Sequence, residues 1–223
     1  MTDGYVMGRT SAETERLQLQ ARILAPHSAY LFRLAGITSG MRVLDVGCGA
    51  GDVSMLLAES VGPNGAVIGV DMNPTILESA APATDAGLTN VSYLEADLTD
   101  LRLDEQVDAV VGRLILLHLE KPAATIRALS RLVRTGGVVS FQERDLTRTR
   151  SVPPTPVVTR SMGWMIDALR AAGLTPDLGE QTASILRDAG LSVEGAAATG
   201  SAGSAASVVP EYMEGCVRSL LPA

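Results

Sequence analysis

Residues 41–51 read M-R-V-L-D-V-G-C-G-A-G, and this stretch decides the fold. A short apolar run, Val43-Leu44-Asp45-Val46, ends in three closely spaced glycines, Gly47, Gly49 and Gly51. A helical pattern over residues 53–59 follows at once. Strand, glycine turn and helix, in that order, open a nucleotide-binding α/β unit. Glycine lets the backbone adopt φ > 0 and brings main-chain N–H groups close to a ligand, and the helix N-terminus behind them favours an anion. The spacing narrows the ligand. A dinucleotide loop reads G-x-G-x-x-G, with the pyrophosphate resting on it. Here the third glycine comes one residue early, and Asp52 stands where the last glycine should be. Asp45, just before the turn, adds a second carboxylate. Two acids repel a pyrophosphate; they suit a ligand with a cationic end and no phosphate.

Working outward, the chain alternates strand and helix. The pattern predicts strands over 42–46, 66–70, 91–95, 107–111 and 138–142, with helices over 52–60 and 74–86 and from Pro122 to Val133. Such alternation implies right-handed crossovers and a parallel sheet. Asp71 ends the second strand some twenty residues past the glycine loop, which is the ribose-binding position of this architecture. On the N-terminal side, two helices are expected, one up to Pro26 and one over 28–35. Beyond 143, the prolines at 153, 154 and 156 interrupt regular structure. A helix over 157–171 then places Val158, Met162, Met165, Ile166 and Leu169 on one face. Trp164, the only tryptophan, lies on the same helix; the stripe reads either as core or as the lining of a pocket. A further helix over 179–189, a sixth strand over 191–198, a mobile loop over 199–207 and a last helix over 210–220 complete the reading.

The string V-L-D-V-G-C-G-A-G closely resembles motif I of the class I S-adenosylmethionine (SAM)-dependent methyltransferases. The resemblance implies a Rossmann-like, doubly wound, mostly parallel sheet with N-terminal helices and a helical insertion after strand five. It implies one methyltransferase domain over 1–223: a helical lid to residue 40, a SAM-binding core over 41–142, and a cap with the C-terminal part of the sheet over 143–223. The family's seventh, antiparallel strand is not evident. By the same resemblance Asp45, Gly47, Cys48, Gly49 and Gly51 surround the methionine end of SAM, and Asp71 accepts from both ribose hydroxyls. Met72 packs on the adenine, Asp97 accepts from the adenine amine, and the Leu98 N–H reaches the ring. Arg113 and Leu114 line the cofactor's side after strand four. Tyr5 and Gln20 on the N-terminal segment approach cofactor or substrate.

Composition bounds the partners. The chain has 223 residues and a formal net charge of −7, which disfavours a nucleic-acid backbone as main partner. No apolar run has the length of a membrane span, and no signal-peptide core is found near the N-terminus. Cys48 and Cys216 form no metal-ligand pattern, and no metal site is expected. Unpaired thiols point to a reducing cytoplasm. A small-molecule acceptor is therefore expected, with S-adenosylhomocysteine (SAH) as product; a homodimer is compatible with the sequence. Methyl transfer needs a base only when the acceptor must lose a proton. Ligands meet an open parallel sheet at the carboxyl ends of its strands, so the catalytic candidates are His118 after strand four, read as base, as substrate or cofactor contact or as a structural histidine, and Glu143 after strand five, read as a substrate contact or as part of a solvated charge cluster with Arg148 and Arg150. Two further classes stay open: a SAM-binding cyclase or rearrangement catalyst on the same fold, and, against the glycine spacing, a NAD-dependent oxidoreductase.

Overall fold

The structure is a computed structural model and describes residues 11–80 and 87–201 together with Tyr212 and Cys216. Five strands, β1 (Arg42–Val46), β2 (Ala66–Asp71), β3 (Val91–Glu95), β4 (Val107–Arg113) and β5 (Val133–Gln142), form one sheet in the order β3-β2-β1-β4-β5. All four pairings are parallel. The helices are α1 (Ser11–Leu34), α2 (Asp52–Val61), α3 (Pro74–Ala80), α4 (Pro122–Leu129), α5 (Pro156–Ala171) and α6 (Leu178–Asp188). The Rossmann-like expectation holds. Strand order reverses between β1 and β4, and the crevice at such a reversal, outside the carboxyl ends of the strands, is where open α/β sheets bind ligands. Among the described residues no helix is long and apolar enough to cross a membrane.

A sheet covered on both faces needs strands that are apolar throughout, and Val43, Leu44 and Val46 are fully buried. Alternate side chains enter different clusters. Val43, Val67, Val91, Ala109 and Val111 pack with Val53, Leu57, Ala58 and Val61 of α2. Leu44, Val46, Ile68, Val70 and Val110 pack with Leu101 and Leu129. Helix α2 forms because its buried positions recur at helical spacing, Val53, Ser54, Leu57, Ala58 and Val61. Asn90 holds its C-terminal end by donating to the carbonyls of Ala58 (3.3 Å) and Gly62 (2.9 Å).

The chain divides into two compact units, one made of Met1–Pro26, Arg144–Gln181 and Ala198–Ala223, the other of His27–Glu143 and Thr182–Ala197. The second holds the sheet. In the first, Leu19, Met162, Met165, Leu169, Tyr212 and Cys216 form the core. There Tyr212 donates to Gln20 Oε1 (2.7 Å) and accepts from Arg144, whose guanidinium lies 5.0 Å from the Tyr212 ring centre. The methionines of α5 are core, as one reading of the stripe expects. Trp164 is not: it is 63% exposed, with the Arg160 guanidinium 5.4 Å from its ring centre.

Several elements differ from the sequence reading. The two N-terminal helices are one, with Pro26 inside α1. Proline removes one main-chain bond, at a cost of about 3 kcal/mol. Here Leu19 and Phe32, on either side of it, are each buried in a core cluster and hold both halves helical. Helix α4 stops at Leu129, and β5 begins at Val133, five residues early, with a register shift opposite Val107 and Ala109. Strand β4 runs on through Arg113. No strand forms over 191–198: after Leu191 and Val193 the segment is Glu, Gly and three alanines, which offer a sheet almost no side chain to pack. Tyr5, the 202–207 part of the expected loop, the 81–86 part of the second helix and most of the C-terminal helix lie outside the described residues; Tyr212 and Cys216 are helical.

Gly51, the residue before α2, shows how tightly the turn is built. Its φ is +87°, and a Cβ there would lie 2.3 Å from the Tyr93 hydroxyl. Gly51→Ala is expected to lower stability by about 2–4 kcal/mol, combining left-handed strain with overpacking. Gly49→Ala, at φ +54° with nothing within 4 Å, is expected to lose only about 1–2 kcal/mol. Urea denaturation of the two variants checks the order; equal losses would mean that Tyr93 yields.

Candidate cofactor site

The site is built at the carboxyl ends of the strands. Asp45, inside β1, is 1% exposed and accepts from the Ser54 hydroxyl at 2.6 Å. Burial pushes its carboxyl up to about 6; the Ser54 bond and Arg113 pull it down, while Asp71 and Asp52 add to the rise. The carboxylate therefore lies beneath the loop rather than on its rim. The sequence motif does not single out Ser54 as a partner. Its signal is a hydroxyl on the buried face of α2, since a buried polar group requires a hydrogen bond.

The loop amides of Gly47, Cys48, Gly49 and Gly51 are engaged within the protein. The N–H groups of Gly47 and Cys48 both donate to the Val70 carbonyl, at 2.8 and 3.0 Å. The Gly49 N–H donates to Asp71 Oδ2 (3.0 Å), and the Gly51 N–H to the Cys48 carbonyl (2.9 Å). This corrects the expectation that bare N–H groups face the ligand. A loop with these donors engaged is poorly suited to a pyrophosphate. Cys48 is a buried free thiol that burial and the Asp45 and Asp71 carboxylates hold un-ionised.

Asp71 ends β2. Each of its oxygens takes one main-chain donor: Oδ2 from Gly49 and Oδ1 from Asn73, at 3.0 Å each. A carboxylate oxygen has two acceptor positions, so one remains on each oxygen for a pair of vicinal hydroxyls. Met72 beside it is 72% exposed, an apolar surface that folding alone does not use. After β3, the exposed Asp97 accepts from the N–H and hydroxyl of Thr99 through Oδ1, both at 2.8 Å, and these bonds hold its carboxyl below the ordinary value. Its Oδ2 stays available among the described residues. Leu98 is partly buried against the sheet. The chemistry of these groups is of the kind SAM requires: an acceptor position on each Asp71 oxygen, the exposed apolar surface of Met72, and the carboxyl groups of Asp45 and Asp97.

Arg113, the last residue of β4, donates to the Ser28 hydroxyl (3.3 Å), which donates to Gln142 Oε1 (2.7 Å). Burial lowers its pKa, against the opposing pull of Asp45 and Asp52. His118 ends a one-turn 3₁₀ helix, Leu116–His118. Its residue surface is exposed, yet desolvation by the surrounding protein holds the imidazole below the ordinary histidine value, with Asp71 opposing the shift. Asp71 thus acts on His118 as well as on the loop. Glu143 follows β5 and accepts through Oε1 from the N–H groups of Ile115 (2.9 Å) and Leu116 (2.8 Å). Among the described residues no group of three or more His, Cys, Asp or Glu side chains is placed to hold a metal ion.

A family model described as a methyltransferase domain matches residues 37–168. The chain belongs to the SAM-dependent methyltransferase family. Its fold is also that of a SAM-dependent methyltransferase from Aquifex aeolicus, 26% identical, with a TM-score of 0.52 over 66% of this chain and 78% of that one. Among curated proteins, the ubiquinone biosynthesis O-methyltransferase of Acinetobacter baylyi is 37% identical over 111 residues, 48% of this chain and 45% of its own. The demethylmenaquinone methyltransferase of Staphylococcus aureus is 31% identical over 105 residues, 47% of this chain and 43% of its own. This methyltransferase chain spans a little under half the length of these curated relatives. SAM is the cofactor of the family, and the residues at the carboxyl ends of β1, β2 and β3 fit it.

Proposed function

We propose that this methyltransferase transfers the methyl group of SAM to a small-molecule acceptor and releases SAH. One observation carries the reading: Asp71 ties down the glycine loop through Gly49 while each of its oxygens keeps an acceptor position. In this reading Asp71 takes the ribose hydroxyls, and Asp45 with the loop of Gly47, Cys48, Gly49 and Gly51 sets the methionine end. Met72, Asp97 and the Leu98 N–H take the adenine, and Arg113, the last residue of β4, lines the cofactor's side. Bound SAM supplies a methyl group already activated by the sulfonium; what the chain supplies is proximity and orientation. A small-molecule acceptor is supported by the net charge of −7 and by relatives named for ubiquinone synthesis and demethylmenaquinone. The buried free thiols of Cys48 and Cys216 agree with a reducing, cytoplasmic setting.

His118 is the proposed general base for an acceptor that must lose a proton. Held below the ordinary histidine pKa, it is neutral at pH 7 and able to take that proton. His118→Ala is expected to cut SAH formation by about 10²–10⁴-fold and to leave SAH binding nearly unchanged. A coupled assay of SAH release, set beside calorimetric binding, checks this. Equal loss of turnover and binding would move His118 from the acceptor to the cofactor.

A further inference from the structure

The turn after β4 is fastened to the end of β5 by three consecutive amides. The Leu114 N–H donates to the Gln142 carbonyl at 2.9 Å, and the next two N–H groups, of Ile115 and Leu116, converge on Glu143 Oε1. Leu114 has φ +58°, the one positive φ outside glycine among the described residues. Ile115 follows in the right-handed region, at φ −102° and ψ −30°. A left-handed residue followed by a right-handed one turns successive N–H groups to the same side and forms a concavity for an anion. In this chain the Glu143 carboxylate fills that concavity. Positive φ at a leucine is unfavourable by about 1–2 kcal/mol, so it persists only where its surroundings enforce it.

The turn in its turn holds Ile115 against the glycine loop. A Cβ on Gly47 would lie 2.4 Å from Ile115 Cδ1, and a Cβ on Gly112 would lie 2.9 Å from Ile115 Cγ2. Ile115 is thus seated on both glycines where β1 meets β4, at the reversal of the strand order. The His118 N–H closes the same turn by donating to the Ile115 carbonyl at 2.9 Å.

We infer that Glu143 is a positioning residue of the cofactor site: its carboxylate fixes the turn from Leu114 to His118 and, through Ile115, the glycine loop at Gly47. The inference rests on reading that loop as part of the SAM site. It differs from a role for Glu143 as a substrate contact, in which the carboxylate would face an acceptor; here it accepts from main-chain amides of its own chain. Burial pushes its carboxyl up to about 7, against the opposing bonds from Leu116 and Ile115.

The test is calorimetric titration of the full chain with SAH, with thermal melting of every variant to establish that it is folded at the titration temperature. Glu143→Gln keeps an acceptor oxygen for the two amides and is expected to bind SAH within about threefold of the parent. Glu143→Ala and Ile115→Ala are each expected to weaken SAH about three- to thirtyfold. The double variant is expected to lose much less than the product of the two, because both act through one contact. If Glu143→Ala fails to fold, the pair Glu143→Gln and Ile115→Ala decides the question alone. Parent-like binding by Glu143→Ala or Ile115→Ala, independent losses in the double variant, or a Glu143→Gln loss as large as that of alanine would each overturn the inference while leaving the SAM site intact. A parent chain that binds no SAH would overturn the SAM reading and this inference with it.

Discussion

Asp71→Ala is expected to weaken SAM and SAH binding by about 10²–10⁴-fold, the loss of two hydrogen bonds to a charged group at about 1.5–3 kcal/mol each. Each Asp71 oxygen already takes one main-chain N–H, from Gly49 or Asn73, and in the proposed complex each takes one ribose hydroxyl. The substitution therefore removes the ribose acceptors and releases the glycine loop together. Asp71→Asn, which keeps one oxygen, is expected to fall between the parent and the alanine variant. Calorimetry with SAH measures the effect, and circular dichroism establishes that the sheet is retained. Unchanged affinity in the alanine variant would remove Asp71 from the site.

Asp45→Asn is expected to do two opposite things: to stabilise the fold above pH 6 and to weaken the cofactor. The Asp45 carboxyl sits at about 6 in the folded chain, raised from an ordinary 3.8 chiefly by burial. Between those values the folded state holds a proton that the unfolded state has released. Stability consequently falls as pH rises from about 4 to about 6, and the full penalty, about 3 kcal/mol, persists above that window. Asparagine stays neutral and still offers an oxygen to the Ser54 hydroxyl. The variant should gain about 1–3 kcal/mol at pH 8, and its advantage should vanish near pH 4. Urea denaturation at the two pH values checks the sign; a variant less stable than the parent at pH 8 would mean that the attraction to Arg113 outweighs burial. Affinity for SAM and SAH should fall in the same variant, because both carry the ammonium of the methionine end. A buried charge retained at such an expense is the pattern of a group kept for a ligand.

The parts of this fold that the sequence reveals are those whose rules are local. Val43 to Val46, the glycines at 47, 49 and 51 and the helical spacing from Val53 specify strand, turn and helix within some twenty residues. Asp71 follows because β2 must return beside β1, which places its last residue next to the loop. What is not legible depends on contacts distant in sequence. Pro26 reads as a break, yet burial of Leu19 and Phe32 on either side keeps α1 continuous. Leu191 and Val193 read as strand, yet nothing after them packs a sheet. The loop amides read as ligand donors, yet the Val70 carbonyl and Asp71, more than twenty residues away, take them. Glu143 reads as a substrate contact because it follows β5. Its proposed positioning role emerges only with the Ile115 and Leu116 amides in view, since no sequence rule announces a leucine at positive φ.

Titration of the 223-residue chain with SAM, and separately with SAH, in a calorimeter shows whether the residues at the ends of β1, β2 and β3 form a SAM site. Saturable binding of both is expected in the micromolar range, lost in Asp71→Ala, with no heat from NAD under the same conditions. Absence of binding by both SAM and SAH in a folded sample, or binding of NAD in their place, would contradict it.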